Sequence, residues 1–431
     1  MITEGSSPRN LADLVVPDVG RLIETDDPWE PYQLLDATGT AVEPVAAYFA
    51  ELQAARNVAS TIRSYGMDLL RWYRFLWALG ISWDRATQGE ARDFSRWMQI
   101  ADKPVRVHWR YRDQEGAAPS AQNSPRKPTP GTPNPVTGKP SPGRKYSAST
   151  RAHCETVLRN FYEFHRESGT GPVLNPFPLD RSRRSGRANA HHNPMAGFRN
   201  ERQGRYRPRV PKRIPRRIPD EMFNALFASL NHHRDRALLA FWVSTGARSE
   251  ELLTSKLRDA DPGRQLIGVI RKGSGDYQQL PASPDAFVWL RLYQEAAWRL
   301  GAPRGRNQPL WWTLRRPWRP LNYHAARAMF NRANDALGSN WTLHDLRHTA
   351  SYRMARDPEL SLTDVQWVLG HASLTTTQIY LTPDKGEVIE NVIAYHARQT
   401  EKPQKPVEPR PGPGYRPEVL DTLLGVRQHA R

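Results

Sequence analysis

A strongly basic segment between residues 181 and 219 constrains how this chain can fold. It holds thirteen Lys or Arg residues and one acidic residue, Glu201. Because so many like charges repel one another, we expect the segment to stay extended until phosphates neutralise it. Regions with helical periodicity flank it on both sides. The sequence therefore predicts two folded domains joined by a basic interdomain linker, 181–219.

The charge of the whole chain indicates the kind of partner. The formal net charge is +18 and the isoelectric point is about 10.2. Such an excess favours nucleic acid over an anionic membrane surface, and we expect no membrane partner. Each phosphate contact releases counterions, so binding should weaken steeply as salt rises. The linker residues that we expect to contact DNA phosphates are Arg181, Arg183, Arg184, Arg187, Arg205, Arg207, Arg209, Lys212, Arg213, Arg216 and Arg217.

Three features that the sequence lacks indicate where the protein acts and which kinds of site it cannot contain. The sequence has no run of eighteen apolar residues, so we expect no transmembrane helix. Its N-terminus lacks the basic and apolar stretches of a secretory signal. Cys154 is the single cysteine, which excludes an internal disulfide and a cysteine-based zinc cluster. We therefore expect a soluble cytoplasmic protein.

The region before the linker has helical periodicity from Val42 onward. The first 35 residues show no sustained period, so we interpret 1–35 as an N-terminal arm. Four amphipathic segments follow, with apolar residues at spacings of three and four, and they predict an all-helical domain over 36–180. Within it, the stretch 115–146 carries eight prolines between Pro119 and Pro142 and almost no apolar side chains. This composition predicts an extended insertion.

After the linker, residues 220–400 combine helical segments with one pair of short strands. The run LIGVI, Leu266–Ile270, is rich in β-branched residues, RKGSGD supplies a turn with two glycines, and YQQLPA resumes an extended pattern. Together they predict a β-hairpin. The expected fold class is thus mainly α with a small β-sheet or hairpin. The final stretch, 401–431, is again rich in proline and predicts a tail.

Five short motifs in this C-terminal region concentrate cationic and aromatic side chains. TGARSEEL places Arg248 three residues before Glu251, a spacing that fits either an ordinary ion pair or a shared anion site. HDLRHT puts His344 and Arg347 on one face of a helix. The remaining motifs, RKG, LGH and QIYL, supply Lys272, His371 and Tyr380.

Two of these motifs also fit other roles, a metal site for the histidines and a merely solvated side chain for Lys272. His344 and His348 have the i, i+4 spacing of a two-histidine metal site, but no Glu lies between them and no third ligand is spaced nearby. We therefore predict no metal. A lysine such as Lys272 on a hairpin tip is often merely solvated, so this residue has meaning only together with the other motifs.

In order and spacing, TGARSEEL, RKG, HDLRHT, LGH and the tyrosine that follows resemble the catalytic motifs of the tyrosine recombinase (phage integrase) family. The resemblance implies an all-helical core-binding domain and a mixed, mostly helical catalytic domain over 220–400, which form a C-shaped clamp on DNA. It implies a site-specific recombinase, or integrase, that uses no cofactor and no metal. It also implies a bacterial or phage-encoded protein of the cytoplasm that associates with the nucleoid.

The resemblance also assigns roles to the motif residues. Tyr380 is the expected nucleophile and forms a 3′-phosphotyrosyl link with the cut strand. Arg248 and Arg347 would clamp the non-bridging oxygens of the scissile phosphate. The other roles implied are His344 as proton acceptor or positioning group, His371 as donor to the phosphate, Lys272 as proton donor to the leaving 5′ oxygen, and Glu251 as support for Arg248.

The hairpin departs from the family pattern. Many relatives continue with basic residues after KG, whereas this chain reads SGDYQQ. This leaves Arg271 as an alternative proton donor to Lys272, although a poorer one, because a guanidinium hardly deprotonates. The proline-rich insertion is a second departure, since it interrupts the core-binding domain.

Two alternative functions and the assembly stay open at this point. A type IB topoisomerase-like enzyme would nick and close DNA with similar groups, and a non-catalytic DNA-binding regulator could retain the same scaffold. For a recombinase, the family implies double-stranded recombination sites, a homotetramer on synapsed DNA, a monomer or weak oligomer when free, and accessory DNA-bending or directionality factors. The segment DKGEVIENVIAYHARQ resembles a helix that docks on a neighbouring subunit, with docking on its own domain as the alternative.

Overall fold

The computed structural model describes residues 9–104, 129–180, 203–211, 215–381, 385–401 and 418–419. These residues divide into two compact units, the first reaching to residue 211 and including 338–340, and the second holding the rest from 215 on. Each unit is mainly helical with a small antiparallel sheet, which confirms the predicted fold class. In the part of the chain that the structure describes, no helix has the length and apolar character to cross a membrane.

The described residues of the first unit form a bundle of amphipathic helices. A capping box between Thr87 and Glu90 begins the third helix, and Gly80 in the left-handed conformation ends the second. Aromatic side chains fill the centre, where the indole N–H of Trp72 donates to the hydroxyl of Tyr162 at 2.8 Å. The helices are α1 (Glu43–Ala54), α2 (Ala59–Leu79), α3 (Gln88–Ile100) and α4 (Ala148–Glu167).

A two-stranded hairpin precedes these helices, where the sequence predicted an arm. β1 (Arg21–Glu24) pairs antiparallel with β2 (Tyr32–Leu35), and Leu34 is buried in the helical core. The first unit is therefore a helical bundle with an added hairpin rather than an all-helical domain behind an arm. The sequence did not predict these strands, because each has only four residues, too few for a clear alternation of apolar and polar side chains.

Parts of the predicted insertion and linker are held by backbone hydrogen bonds. In the insertion, the N–H of Ser141 donates to the carbonyl of Thr132 at 2.8 Å, so residues 129–146 include a closed turn rather than only extended chain. In the linker, the N–H of Arg205 donates to the carbonyl of Pro178 at 2.8 Å. The stretches outside the described residues are 1–8, 105–128, 181–202, 212–214, 382–384, 402–417 and 420–431.

The second unit packs helices against a three-stranded antiparallel sheet. β4 (Leu266–Ile270) and β5 (Tyr277–Pro281) form the predicted hairpin, and β3 (Ala260–Asp261) pairs with β4. Phe241 and Trp311 pack edge to face in the core. The helices are α5 (Asp220–Ser229), α6 (His233–Thr245), α7 (Ser249–Leu253), α8 (Pro284–Arg299), α9 (Tyr323–Ala336), α10 (Leu343–Arg356), α11 (Leu362–Leu369), α12 (Leu374–Gln378) and α13 (Lys385–Glu401).

Two glycines end the helices that lead into motif residues. Gly246, with φ of 62°, follows α6 and comes two residues before Arg248. A Cβ on Gly246 would lie 2.7 Å from Cδ2 of Leu369. Gly370, with φ of 60°, ends α11 directly before His371. Because residues with a side chain rarely adopt these φ values, glycine is the residue that both turns require.

Candidate active site

The first cationic side chain of the site, Arg248, is oriented by a buried carboxylate. Its Nη1 donates to Oε1 of Glu251 at 2.7 Å, and its backbone N–H donates to Oε2 at 3.0 Å. Glu251 is 2% exposed, whereas the side chain of Arg248 is 31% exposed. Arg248 therefore makes the ion pair that its spacing allowed and still keeps part of its guanidinium accessible.

Glu251 collects two further donors from the hairpin. Its Oε1 accepts the backbone N–H of Lys272 at 3.0 Å, and its Oε2 accepts Nη1 of Arg271 at 3.1 Å. Burial raises the pKa of Glu251, but the hydrogen bonds from Arg248 and Lys272 outweigh burial and hold the pKa below its ordinary value. The carboxylate is thus ionised at neutral pH and ties α7 to the hairpin.

A second arginine, Arg347, lies buried on α10. Its Nη1 donates to the carbonyl of Gly246 at 2.6 Å, and its Nη2 donates to the carbonyl of Leu369 at 2.7 Å. Burial, reinforced by the charge of Arg248, lowers the pKa of Arg347 to about 10, so the group stays charged at pH 7. These hydrogen-bond partners are carbonyls rather than carboxylates, which leaves the charge of Arg347 for an anionic ligand.

Tyr380 reaches the site from a 3₁₀ turn, Ile379–Leu381, that follows α12. The side chain is buried, and its hydroxyl lies 2.8 Å from Nδ1 of His348. Burial raises the pKa of Tyr380, although the hydroxyl of Ser351 and the charge of Arg347 oppose this rise. The phenol is therefore protonated at neutral pH, and an imidazole nitrogen is within reach of its proton.

His344 connects to the tyrosine through His348. The two imidazole rings lie one helical turn apart on α10 and meet edge to face, with centroids 4.3 Å apart. His344 is exposed, while His348 lies between it and Tyr380. Among the described residues, no group of three His, Cys, Asp or Glu side chains is arranged to hold a metal ion. The i, i+4 spacing of the two histidines thus places His348 against Tyr380 and His344 on the surface.

His371 flanks the ring of Tyr380. The two rings are nearly parallel, with an angle of 9° and centroids 6.3 Å apart. Nδ1 of His371 lies 2.9 Å from the hydroxyl of Thr377. Burial, together with the charge of Arg347, lowers the pKa of His371 to about 4, so the imidazole is neutral at pH 7. With Nδ1 engaged, Nε2 is the ring nitrogen that remains for a ligand.

Lys272 stands apart from this cluster. Its Nζ pairs with the exposed carboxylate of Glu250 at 2.9 Å, and its side chain is 52% exposed. The residue before it, Arg271, points inward instead: it is buried and makes side-chain hydrogen bonds through all three guanidinium nitrogens. The structure therefore brings together Arg248, Glu251, Arg347, His371 and Tyr380, adds Arg271 and His348, and leaves the Lys272 side chain on the surface.

The described linker arginines are all exposed. Their contacts with the fold include a hydrogen bond from Nη1 of Arg207 to the carbonyl of Ala152 at 3.2 Å and the guanidinium of Arg217, 4.2 Å from the ring centroid of Tyr352. Contact with phosphates stays a prediction for Arg205, Arg207, Arg209, Arg216 and Arg217. The predicted DNA contacts that lie outside the described residues are Arg181, Arg183, Arg184, Arg187, Lys212 and Arg213.

The sequence analysis considered His348 only as a possible metal ligand and Arg271 only as a poorer alternative proton donor, and it placed neither residue in the predicted catalytic set. A signal existed for both, because HDLRHT places His348 one helical turn after His344, and RKGSGD places Arg271 directly beside Lys272. Both cations lie in the turn that directly follows β4, where the backbone conformation decides which side chain faces the interior. The pattern alone could not assign which one.

Two family models match this chain. The model of the phage integrase family matches residues 216–387, a range that contains every side chain of the site described above. The model of the phage integrase N-terminal, SAM-like domain matches residues 45–105, which include most of α1 and all of α2 and α3.

Curated relatives include tyrosine recombinases. The tyrosine recombinase XerC of Serratia marcescens is 32% identical over 213 residues, which are 48% of this chain and 66% of the relative. XerC of Chlamydia caviae is 28% identical over 180 residues, which are 40% of this chain and 56% of the relative. The chain thus spans between about half and two thirds of the length of the curated relatives it matches.

A solved structure shares the fold. The integrase of transposon Tn1549, in complex with transposon right end DNA, superposes with a TM-score of 0.52 at 14% sequence identity. The match covers 83% of this chain and 99% of that one. At this identity the likeness is one of architecture, and it agrees with a helical domain followed by a mixed, mostly helical one.

Proposed function

Since the chain belongs to the phage integrase family, we propose that it is a tyrosine-type site-specific DNA recombinase. It would cut and rejoin DNA strands through a covalent 3′-phosphotyrosyl intermediate. The main observation in support of this proposal is the buried hydroxyl of Tyr380, which lies 2.8 Å from Nδ1 of an imidazole, His348, and close to the charges of two arginines. Because the tyrosyl–phosphate link conserves the bond energy of the cut strand, the reaction needs no nucleotide cofactor.

Tyr380 supplies the nucleophile in this reaction. Its hydroxyl oxygen attacks the scissile phosphorus, so that an Oη–P bond forms and the bond from phosphorus to the 5′ oxygen breaks. The phenolic proton passes to an acceptor, and Nδ1 of His348 lies within hydrogen-bond reach. His344, edge to face with His348, would orient that ring. Rejoining runs the same steps in reverse with a different 5′ hydroxyl.

Arg248 and Arg347 would hold the non-bridging oxygens of the phosphate. Negative charge grows on these oxygens in the transition state, and two guanidiniums can meet it with forked hydrogen bonds. His371 would add a donor from Nε2 without adding charge, since its pKa of about 4 keeps the ring neutral in the free protein. A bound phosphate would raise the pKa of His371, because an anion favours the protonated ring.

The proton for the leaving 5′ oxygen comes, in this proposal, from Lys272. Its present partner is the exposed Glu250, at 2.9 Å. Exposed ion pairs of this kind are worth about 0–1 kcal/mol, so the lysine can exchange Glu250 for a DNA phosphate at little cost. The hairpin turn that carries Lys272 is joined to Glu251 through the backbone N–H of the lysine, which keeps the turn beside the site.

The rest of the chain would grip double-stranded DNA. We assign 36–180 to the core-binding domain, 181–219 to a linker that tracks the phosphate backbone, and 220–400 to the catalytic domain. The net charge of +18 supports this assignment, as does the exposure of the described linker arginines. A protein with this substrate would act in the cytoplasm at the nucleoid.

Strand exchange needs two DNA sites held together, so we propose a homotetramer on synapsed DNA and a monomer or weak oligomer in its absence. The helix α13 supports an assembly role. Its apolar side chains Ile389, Val392, Ile393 and Tyr395 are 46–62% exposed. An exposed apolar face of this kind gains stability when a neighbouring subunit covers it. Accessory DNA-bending or directionality factors belong to the same proposal.

A paired-site assay separates the recombinase from the two alternatives. Duplexes selected from a random pool for binding to the full chain supply the site, which is then placed twice, or once as a control, on a supercoiled plasmid. We expect the wild-type chain to exchange strands between paired sites and Tyr380→Phe to bind without cleaving. Relaxation of both plasmids without exchange would indicate a topoisomerase-like enzyme, and binding without any cleavage by the wild type would indicate a regulator.

A further inference from the structure

Arg271 is a buried cation that the mechanism above does not use. It follows the last residue of β4, and its side chain is 6% exposed. Nε donates to Oε1 of Gln278 at 2.6 Å, Nη1 donates to Oε2 of Glu251 at 3.1 Å, and Nη2 donates to the carbonyl of Val368. Burial lowers the pKa of Arg271, while the Glu251 carboxylate raises it and limits the fall.

These three hydrogen bonds join three separate parts of the site. Glu251 belongs to α7 and orients Arg248, Gln278 belongs to β5 of the hairpin, and Val368 lies in the last turn of α11. A second side chain repeats the tie between the hairpin and α11, because Nε2 of Gln278 donates to the carbonyl of Trp367 at 3.0 Å.

The turn that presents His371 also rests on Arg271. A Cβ on Gly370 would lie 3.0 Å from Nε and 3.1 Å from Cζ of Arg271, so the guanidinium packs on the α-carbon of this glycine. His371 is the next residue. The guanidinium of Arg271 thus contacts Glu251, which orients Arg248, at one edge and the backbone of Gly370, just before His371, at the other.

We propose that Arg271 is a positioning residue that sets Arg248 and His371 relative to one another by joining Glu251 to the end of α11. The inference rests on the proposed function, since it concerns how that reaction is organised. Arg271 is not the proton donor to the leaving oxygen. Its three nitrogens are already engaged inside the protein, and a guanidinium hardly deprotonates.

Arginine suits this place because three acceptors surround one side chain. A guanidinium presents five N–H donors in a fixed plane, whereas the ammonium of lysine is a single point from which all hydrogen bonds must radiate. Arg271→Lys therefore keeps the charge beside Glu251 but loses the simultaneous contact with Gln278 and Val368. Arg271→Gln loses the charge as well.

The test follows the covalent adduct on a nicked duplex carrying the selected site, with the full chain at saturating concentration. We expect Arg271→Lys to slow adduct formation about 10-fold and Arg271→Gln about 100-fold, because small misplacements of reacting groups cost this much. The DNA Kd should stay within about 3-fold of wild type, since Arg271 donates to protein atoms. Arg264→Gln, an exposed arginine in the same sheet region, serves as the matched control and should react like wild type.

The final amplitude of the adduct separates positioning from loss of folding. The amplitude counts folded enzyme, so a positioning residue lowers the rate and leaves the amplitude unchanged. Arg271→Lys retains the charge that Glu251 requires, which keeps the test valid if Arg271→Gln does not fold. A wild-type rate in Arg271→Lys and Arg271→Gln alike, or a loss confined to the amplitude in both, would overturn the inference.

A substrate with sulfur in place of the leaving 5′ oxygen separates positioning from proton donation. A thiolate leaves without a proton, because its conjugate acid has a pKa near 8.5. We expect this substrate to restore Lys272→Ala toward the wild-type rate and to leave Arg271→Gln and Arg271→Lys slow. Restoration of the two Arg271 variants would make Arg271 the proton donor and refute the inference. A wild-type chain that cuts neither substrate would overturn the proposed function, and this inference with it.

Discussion

Replacing Glu251 by Gln replaces a buried carboxylate by an amide of nearly the same shape. The two carboxylate oxygens accept four N–H donors at 2.7–3.1 Å, from the backbone and side chain of Arg248, the backbone of Lys272 and the side chain of Arg271. The amide keeps one accepting oxygen, and its NH₂ group faces two donors that it cannot satisfy.

The expected cost follows from this geometry. Each buried donor left without an acceptor costs about 1–3 kcal/mol, and breaking a buried ion pair costs about 3–5 kcal/mol. We therefore expect the free energy of unfolding of the second unit to fall by about 3–5 kcal/mol. For a domain of this size, that corresponds to a melting temperature lower by about 6–20 °C.

The neighbouring carboxylate provides the control. Glu250 is 56% exposed and pairs only weakly with Lys272, so Glu250→Gln should change stability by about 0.5 kcal/mol or less. Urea unfolding followed by tryptophan fluorescence measures both variants. Cleavage should also fall about 10- to 100-fold in Glu251→Gln, because Arg248 loses the group that orients it. Equal unfolding midpoints for the two variants would show that the Glu251 carboxylate does not stabilise the second unit.

Two further predictions concern pH and backbone conformation. The folded chain lowers the pKa of His371 from 6.5 to about 4, so between these values the unfolded chain binds a proton that the folded chain does not. The stability that His371 contributes is fully present above pH 6.5 and falls as the pH drops toward 4, by about 1–3 kcal/mol in all, because solvent screens a half-buried ring. His371→Asn should flatten this part of a plot of urea midpoint against pH, and an unchanged slope would contradict the assignment. Gly246→Ala should destabilise the second unit by about 1–3 kcal/mol, because φ is 62° and the new Cβ would lie 2.7 Å from Leu369. Calorimetry would compare it with Gly263→Ala, whose Cβ would meet only a side-chain oxygen at 3.5 Å, and equal melting temperatures would count against the prediction.

Many boundaries of helices and strands could be predicted from the sequence, because capping residues and glycines set them locally. The hydroxyl of Thr342 caps α10, Gly370 ends α11, and the two glycines of RKGSGD close the hairpin, so these boundaries follow from residues at the boundaries themselves. The hairpin of β1 and β2 could not be read in the same way. Its four-residue strands depend on Leu34 packing against helices that lie later in the chain.

In the candidate active site, too, the sequence did not predict the features that depend on tertiary contacts. The order of the motifs points to Arg248, Arg347, His371 and Tyr380, and the structure packs these side chains into one cluster. Which cation of the hairpin faces inward depends on the backbone conformation of the turn after β4, which the motif RKG does not fix. The contact between His348 and Tyr380 depends on how the chain returns after α12, a tertiary feature with no signature in HDLRHT.

The most direct test of the proposed mechanism identifies the protein atom that is covalently bonded to the DNA. The full chain is incubated with a nicked duplex carrying the selected site, the covalent product is digested with trypsin and nuclease, and the modified peptide is sequenced by mass spectrometry. We expect a phosphotyrosyl nucleotide on Tyr380, joined through the 3′ oxygen of the cut strand, and no such peptide from Tyr380→Phe. A nucleotide on any other residue, or an adduct undiminished in Tyr380→Phe, would contradict the proposed mechanism.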